Sequence, residues 1–521
     1  MRVAVYDRFW STGGGGERYA GAFAAALAGE HEVELLASER IDWPALEERL
    51  GLDLSATSRR LVEDAGYGDL AEVSAEYDLF VNCSYMSSDR CGAPHGVYVV
   101  LFPTPFDHDM GLLKSSLARL LRATSREADP RLEWGRGFYP PEWERLSRFR
   151  WTSGEAHLLV RAEPGEVVPV RLALVGARPP EAGEADVEVA VDGRSVARLR
   201  AGSSRRTLPV RVDVTGRGRD DPVLVAVRSD LFVPSETLGS SDTRPLGIRL
   251  QTVQLGRGVG PALRARFPRL ATPPLSLDFL DTYTRIVSIS EFTHEWVQRL
   301  WGRESLILNP PAPQREPGEK QPLILSVGRF FGRVAGHSKK QLEMVEAFRR
   351  LVREGLAGWE YHLVGGCSPE HRPYLEEVRR AAEGLPVHLH VDAPGAELDD
   401  LYRRASVFWH AAGLGEAERR RPWRFEHFGI TTVEAMAAGA VPIVLGHAGQ
   451  AEIVDHGVDG FHFRTLRELV ERTRKVVADD ALRRRLADAA RLRAADFAPE
   501  RFAERARRIV DSIHTPSGAS T

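Results

Sequence analysis

The sequence predicts an α/β protein in which doubly wound folds at both ends of the chain bracket an all-β segment. Three observations carry this. Apolar runs of strand length alternate with helical periodicity from Arg2 to Phe102 and again from Pro322 to Phe463, the pattern of parallel sheets covered by helices. Between about residues 156 and 255 the helical period disappears and short alternating β runs replace it. The stretch FEHFGITTVEAMAAGAVPIVLGHAGQAEIV, Phe425 to Val454, sets two carboxylates around a glycine-rich helix start and then enters a short apolar strand.

Size and composition bound the answer. The chain has 521 residues, room for three domains at roughly 100–200 residues each. It is 43% hydrophobic and 27% charged, with a formal net charge of -3. That is ordinary for a globular protein and offers no basic field for nucleic acid. No apolar run reaches the ~18–20 residues that span a bilayer, and MRVAVYDRFW enters a strand at once without a signal peptide, so a cytoplasmic protein is expected. Cys83, Cys91 and Cys367 give neither a disulfide framework nor metal-ligand spacing and read as small buried side chains. Lysine occurs only at 114, 320, 339, 340 and 475. The adjacent pair Lys339–Lys340 therefore stands out in a chain that otherwise uses arginine.

Arg2 to Asp7 is a strand, followed by Ser11 to Gly16 (STGGGG), Glu17 and a helix from Arg18 to about Ala28. Glycines there let the backbone approach a phosphate. The loop is not GxGxxG, so a dinucleotide is a poor fit. His31 to Ala37, Tyr77 to Asn82 and Gly96 to Phe102 are further strands. The loop Pro103 to Met110 lies beyond the carboxyl end of the last of these, where a doubly wound sheet binds ligands. Leu112 to Arg126 is amphipathic, with Leu113, Leu117, Leu120 and Leu121 opposite Lys114, Arg119, Arg122 and Arg126. It could dock on an acidic membrane surface or pack on its own domain. Character changes near Gly137. Seven β runs follow (HLLVRA, VVPVRLALV, ADVEVAV, SVARLRA, RTLPVRVDV, PVLVAVR, LGIRLQTVQL), with Asp192-Gly193 as a two-residue hairpin turn. They predict a β-sandwich over 138–257. Trp134, Phe138, Tyr139, Trp143 and Trp151 precede or enter it, as a surface for sugar rings or as a seam between domains.

The α/β pattern resumes at Tyr283 to Ser290, continues through a helix to about Trp301 and a strand at Ser305 to Leu308, and ends in the stiff NPPAP linker. Residues 1–137 and 258–315 thus read as one domain with the β segment inserted. A second domain, 316–498, starts with Pro322 to Val327, then Gly328-Arg329, a loop to Ser338-Lys339-Lys340 and a helix from Gln341 to Arg353. Strands follow at Tyr361 to Gly366, Val387 to Val391 and Val407 to His410, and an Arg- and Glu-rich loop, Gly413 to Arg424, leads to Glu426. Residues 499–521 form a last helix that crosses back, and a disordered tail from Thr515.

In the Phe425–Val454 stretch, seven residues separate Glu426 from Glu434. Thr431 or Thr432 is a fair N-cap, Gly439 stops the helix, Ala440 to Leu445 is a buried strand and Glu452 opens the next helix. The helix start is a seat for phosphate. Carboxylates beside it suit a sugar attached to that phosphate, because they accept hydrogen bonds from hydroxyls.

This stretch resembles the E-x7-E signature of family-four retaining glycosyltransferases. The resemblance implies a GT-B fold: two Rossmann-like doubly wound domains facing a cleft, here with the β-sandwich inserted in the first. It further implies a nucleoside-diphosphate sugar as donor, transfer with retention, and no metal or other cofactor. Glu426 would orient the sugar hydroxyls and Glu434 would hold the ribose or a phosphate oxygen. Backbone groups of Phe428, Gly429, Ile430 and Thr431 would face the donor. Arg329 and Lys339 match the diphosphate clamp, with Lys340 the alternative. Gly14, Gly15 and Glu17 match the GG-x-E loop across the cleft, and Val391 falls where the base is held. Relatives carry a His where this chain has Leu101, so Asp109 or His108 would take the acceptor side, and Asp109 is the choice here. The HFGI variant and the FPT…DM loop resemble lipid-linked-oligosaccharide mannosyltransferases, which implies GDP-mannose. The acceptor would be a glycan, a lipid-linked sugar or a small molecule, in cell-surface polysaccharide or glycoconjugate synthesis, with peripheral contact on the inner membrane face. The alternatives are a GT-B phosphorylase, another nucleotide-sugar enzyme, or a non-catalytic glycan-binding scaffold.

Overall fold

The computed structural model describes residues 1–62, 70–103, 117, 120–121, 129–139, 141–144, 147–204, 206–238, 242–268, 277–332 and 338–514. The chain divides into two compact units, Met1–Thr104 with Leu277–Thr521, and Pro105–Ser276.

The first unit holds two parallel sheets. In the seven-stranded sheet the order is Leu306–Ile307, Arg285–Ser288, His95–Val100, Leu79–Asn82, Arg2–Tyr6, Glu32–Ala37 and Ser58–Leu61. The six-stranded sheet runs Val387–Val391, Glu360–Gly365, Gln321–Val327, Ala405–His410, Val441–Leu445 and Phe461–Phe463. Helices cover both faces, so the central strands Ala405–His410 and Val441–Leu445 are buried at every residue. That is why they read as continuous apolar runs rather than alternating ones. The edge strand Ser58–Leu61 is mostly exposed and carries two arginines, so its sequence has no strand-like apolar signal.

Helix ends follow side-chain chemistry. Ser290 accepts from the Thr293 amide to start Glu291–Trp301, and Gly302 ends that helix in the left-handed region at φ 62°. The last helix, Pro499–His514, returns to the first sheet's layer. Phe502 packs edge-on against Tyr19 and Phe23, with ring centroids 5.2 and 6.2 Å away.

The second unit is built from two five-stranded antiparallel sheets. One runs Leu208–Thr215, Val167–Val175, Arg249–Leu255, Ser147–Trp151 and Glu142–Glu144; the other runs Arg194–Ala201, Ala185–Val191, Gly218–Ser229, Glu155–Ala162 and Leu132–Trp134. Inner-face residues of both, among them Leu158, Val189 and Val225 from one and Val170, Leu172 and Val214 from the other, share a single core. All seven runs picked out in the sequence are strands. Asp192 and Gly193, at φ 47° and 80°, make the hairpin turn, the double positive φ that a two-residue hairpin demands. The unit is wider than 138–257. Leu132 pairs with Val160 on its N-terminal side, and Arg264 of the helix Val259–Arg266 bonds Gln254 at 2.8 Å on the other. Trp151 is buried inside this unit against Phe232, with Arg249 over its ring. Of the expected helix Leu112 to Arg126 only Leu117, Leu120 and Leu121 are described, and the tail from Thr515 lies outside the described residues.

In the six-stranded sheet two neighbouring strands end in close backbone contact. A Cβ on Gly365 would fall 2.1 Å from the carbonyl oxygen of Gly328, and the Gly328 amide donates to Val364 O at 2.8 Å. Gly365→Ala is expected to push the Gly328 loop aside and destabilise the fold by about 1–3 kcal/mol. Thermal unfolding of the full chain reads this as a drop of several degrees, and an unchanged midpoint would refute the close approach.

Candidate active site

Side chains of opposite charge gather beyond the carboxyl ends of the second sheet's strands, where open α/β sheets bind ligands. The helix Ile430–Ala437 starts there. Its N-cap is Gly429 at φ 119°, not Thr431 or Thr432 as the sequence suggested. A Cβ on Gly429 would lie 2.0 Å from Gln450 Nε2, so glycine is required both for its backbone angle and for space. Thr432 sits one turn further in, fully buried, and donates from Oγ1 to Gln450 Oε1 at 2.8 Å. Thr431 and Ile430 stand at the positive end of this helix.

Glu426 precedes that helix start. The Lys339 ammonium donates to its Oε2, and His410 Nε2 lies 2.9 Å from the same oxygen. Burial holds the His410 imidazole below its usual range, against the opposing pull of Glu426. His410 was not singled out in the sequence. Its signal was there, as the one polar side chain closing the buried run SVFW. Lys340, at φ 61°, turns instead to Glu416, 3.7 Å away, which also takes Arg424 at 3.0 Å. The expected pair of cations is therefore only half assembled. Lys339 reaches Glu426, while Arg329 is exposed with its guanidinium 5.6 Å from the Phe331 ring.

Glu434 has different surroundings. It is 5% exposed. Its Oε1 accepts from Arg18 at 2.9 Å and from Arg315 at 3.4 Å, and its Oε2 accepts from the Tyr402 hydroxyl at 2.8 Å. Arg18 belongs to the helix Gly15–Ala28 under the first sheet. Glu17 shapes the preceding loop by accepting from the Gly14 amide at 2.6 Å and from Thr12 Oγ1 at 2.7 Å. A Cβ on Gly15 would meet Ile430 Cδ1 at 3.3 Å, and one on Gly16 would meet Leu101 Cδ1 at 3.1 Å. The glycine loop, Leu101 and the helix start are thus neighbours.

Phe428 turns into the core, 3% exposed, against Phe497, which leaves only its backbone to a ligand. Val391 ends its strand half-buried before Asp392 at φ 54°. Asp109 and His108 lie outside the described residues. Glu452 stands near the end of the helix Ala448–Ile453, not at its start. It reaches the first sheet's layer, where it accepts from the amides of Glu291 and Phe292 at 2.9 and 2.6 Å. Ser290 Oγ donates to His427 O at 2.6 Å, and the His427 ring stacks on Phe102 at 4.0 Å. A cation, a carboxylate and a helix N-terminus facing a glycine loop can together hold a phosphate and hydroxyls.

Residues 312–493 match the family model described as "Glycosyl transferases group 1". They form a glycosyl transferases group 1 domain. That domain contains Lys339, His410, Glu426 and Glu434. The chain is 26% identical over 220 residues to the GDP-Man:Man(3)GlcNAc(2)-PP-Dol alpha-1,2-mannosyltransferase of Dictyostelium discoideum, across 38% of this chain and 41% of that protein. It is 30% identical over 258 residues to the sucrose synthase of Acidithiobacillus caldus, across 45% of this chain and 30% of that enzyme. It therefore spans less than half the length of either relative. Among solved structures, Anabaena Alr3699/HepE in complex with UDP-glucose superposes with a TM-score of 0.51 at 10% identity, over 98% of this chain and 100% of that one. A glycosyltransferase from Rickettsia africae gives 0.50 at 10% identity, over 99% of each chain. These likenesses place the α/β architecture in the GT-B class.

Burial pushes the Glu452 carboxyl up to about 7, against the two amides that hold it. A carboxyl raised in the folded state binds its proton more tightly there than in the unfolded chain. Its contribution to stability is then present below pH 4.5 and is lost as pH rises through about 7. Glu452→Gln is expected to flatten this part of the profile, and Glu452→Ala to cost about 1–2 kcal/mol by removing a helix cap. Thermal midpoints of the three proteins across pH 4.5–8 check this, and parallel profiles for wild type and the glutamine variant would contradict it.

Proposed function

We propose that this chain is a retaining glycosyltransferase that moves a hexose from a nucleoside diphosphate to a hydroxyl acceptor. The observation that carries the reading is the meeting of Lys339, His410 and Glu426 beside the Gly429 helix start, within the glycosyl transferases group 1 domain. A donor diphosphate takes the Lys339 ammonium and the amides at the helix start, which neutralise the charge that develops as it leaves. Glu426, released from Lys339, accepts from the sugar hydroxyls. Neutral His410 stands buried behind it, 2.9 Å from the carboxylate. Arg329, on the loop that begins at Gly328, closes on the diphosphate as the second cation, so the clamp needs no metal at that point. The bond from the anomeric carbon to phosphate breaks while the bond to the acceptor oxygen forms on the same face. The acceptor proton passes to the leaving phosphate, and the α configuration is kept.

GDP-mannose is the donor we assign, supported by the name of the Dictyostelium relative. The acceptor is a glycan, a lipid-linked sugar or a small molecule, Asp109 serves its side of the cleft, and the product enters cell-surface polysaccharide or glycoconjugate synthesis. We read the unit 105–276 as a β-sandwich inserted in the first doubly wound domain. The protein works in the cytoplasm at the inner face of the membrane. No helix among the described residues is long and apolar enough to cross one.

Glu426→Gln is expected to keep the thermal midpoint and GDP binding and to lower mannosyl transfer by about 100-fold or more, whereas Lys339→Ala weakens both GDP binding and transfer. Turnover with each donor and NMR of the product anomer provide the readout. Wild-type turnover in Glu426→Gln, or a β product, would sink the assignment. A thermal-shift series with GDP-, UDP- and dTDP-sugars is expected to show the largest rise with GDP-mannose.

A further inference from the structure

The edge strand of the second sheet, Val387–Val391, pairs with Glu360–Gly365 so that His362 stands opposite His388 and Val364 opposite His390. Because side chains alternate along a strand, Glu360, His362, His388 and His390 share one face. The helix Gly395–Arg404 adds Glu397 to that face. None of these groups takes part in the site around Glu426.

Their hydrogen bonds can be traced in order. A carboxylate only accepts, so the 2.5 Å contact between Glu397 Oε1 and His390 Nδ1 places a proton on that nitrogen. In the tautomer that leaves His390 Nε2 unprotonated, that nitrogen accepts from His362 Nδ1 at 2.9 Å. The two rings are inclined by only 13° with centroids 5.1 Å apart, the separation of an in-plane bond between ring edges. His362 Nδ1 therefore carries its proton, and His362 Nε2 is left with a lone pair. That lone pair faces Glu360 Oε2 at 3.2 Å. In that tautomer two acceptors face each other beside the buried His362, an arrangement that a cation between them completes. A third donor atom, His388 Nε2, is 3.6 Å from the same oxygen. One ligand atom from each of Glu360, His362 and His388 falls within 4.8 Å of the others.

We propose that Glu360, His362 and His388 bind a divalent transition metal of the zinc class, with His390 and Glu397 as the outer pair that orients His362. Two imidazoles and a carboxylate suit such an ion. Ligand bonds of about 2.0–2.2 Å in a tetrahedron separate the ligand atoms by roughly 3.3–3.5 Å, between the two separations seen at Glu360 Oε2. The His388 side chain is 47% exposed, so it can rotate to close the third edge, and a fourth position opens to solvent. A ligating imidazole is oriented by a hydrogen bond to its other nitrogen, here through His390 to Glu397. The metal would staple the edge strand to its neighbour, three residues before Val391.

The full-length chain, stripped with chelator and titrated with zinc alone, tests this by calorimetry, metal content and thermal shift. One zinc per chain and a raised midpoint are expected. His388→Ala, an exposed position that leaves the fold intact, should lose at least about 100-fold in affinity, His390→Ala about 10- to 100-fold, and His157→Ala in the other unit nothing. Absence of stoichiometric zinc at micromolar metal, or unchanged binding by His388→Ala, would overturn the site. So would imidazole NMR showing a doubly protonated His362 in the presence of that zinc, because a proton would then fill the gap.

Discussion

A carboxylate that is nearly out of water keeps its charge only if other groups replace the water it has lost. Glu434 is such a group, and its partners come from three separate stretches of chain. Arg18 lies on the first helix, Arg315 on the segment between the two parallel sheets, and Tyr402 on the helix Gly395–Arg404. Arg315 is fixed further, since its guanidinium also pairs with Asp399 and lies 4.7 Å from the Tyr402 ring. Through Arg18 the pairing sets the position of the glycine loop, one turn earlier. The loop in turn has no side chain at Gly15 to hold Ile430 away. The glycine loop and the helix start are thus held in register by an ion cluster around one buried carboxylate.

Lysine is scarce in this chain, and at two positions in the second domain it does what arginine's planar fork cannot. Lys320 points a single ammonium at three carbonyls, those of Arg403, Ala405 and Ala438, at 3.0, 2.9 and 2.6 Å. Two of them lie at or just past the ends of the helices Gly395–Arg404 and Ile430–Ala437, where a compact cation suits the dipole. Burial lowers its pKa to about 7. Lys339 likewise presents a point charge to Glu426. A fork would favour a fixed bidentate pair with the carboxylate, whereas an ammonium can change partners without rearranging a plane. That suits the proposed shift of Lys339 from Glu426 to a diphosphate.

Much of this arrangement was legible in the residues because each element speaks in its own local pattern. The strands Ala405–His410 and Val441–Leu445 are buried on both faces and read as unbroken apolar runs. Asp192-Gly193 forms the turn that its two residues allow. Failures came where tertiary contacts override local preference. Thr431 and Thr432 are good caps in isolation, but Gly429 takes the cap because Gln450 fills the space a side chain would need. Glu452 was read as a helix opener. It lies near the end of its own helix and caps a different one, a pairing that no local window contains. Ser58–Leu61 is held by pairing at a sheet edge and buries little, so hydrophobic periodicity had nothing to report. His410 and the cluster around His362 depend on which strands lie side by side, and strand order is the information a single sequence states least directly.

The crowding of Glu434 bears on how a ribose could be held. Both carboxylate oxygens already accept hydrogen bonds, so a sugar hydroxyl must share an oxygen or displace a partner. Arg315 also pairs with Asp399 and lies over the Tyr402 ring, so turning it toward a ligand would break both contacts. Displacing the Tyr402 hydroxyl would leave a fully buried phenol with only its longer bond to Thr431 O, at 3.5 Å. Arg18 is the least costly to move. Its side chain is the most exposed of the three at 20%, and it sits beside the glycine loop where a diphosphate would arrive. A phosphate there offers the guanidinium a partner as strong as the carboxylate it leaves. The electrostatics therefore favour an exchange in which Arg18 turns to phosphate and frees one oxygen of Glu434 for a hydroxyl, while Arg315 and Tyr402 keep the carboxylate charged and in place.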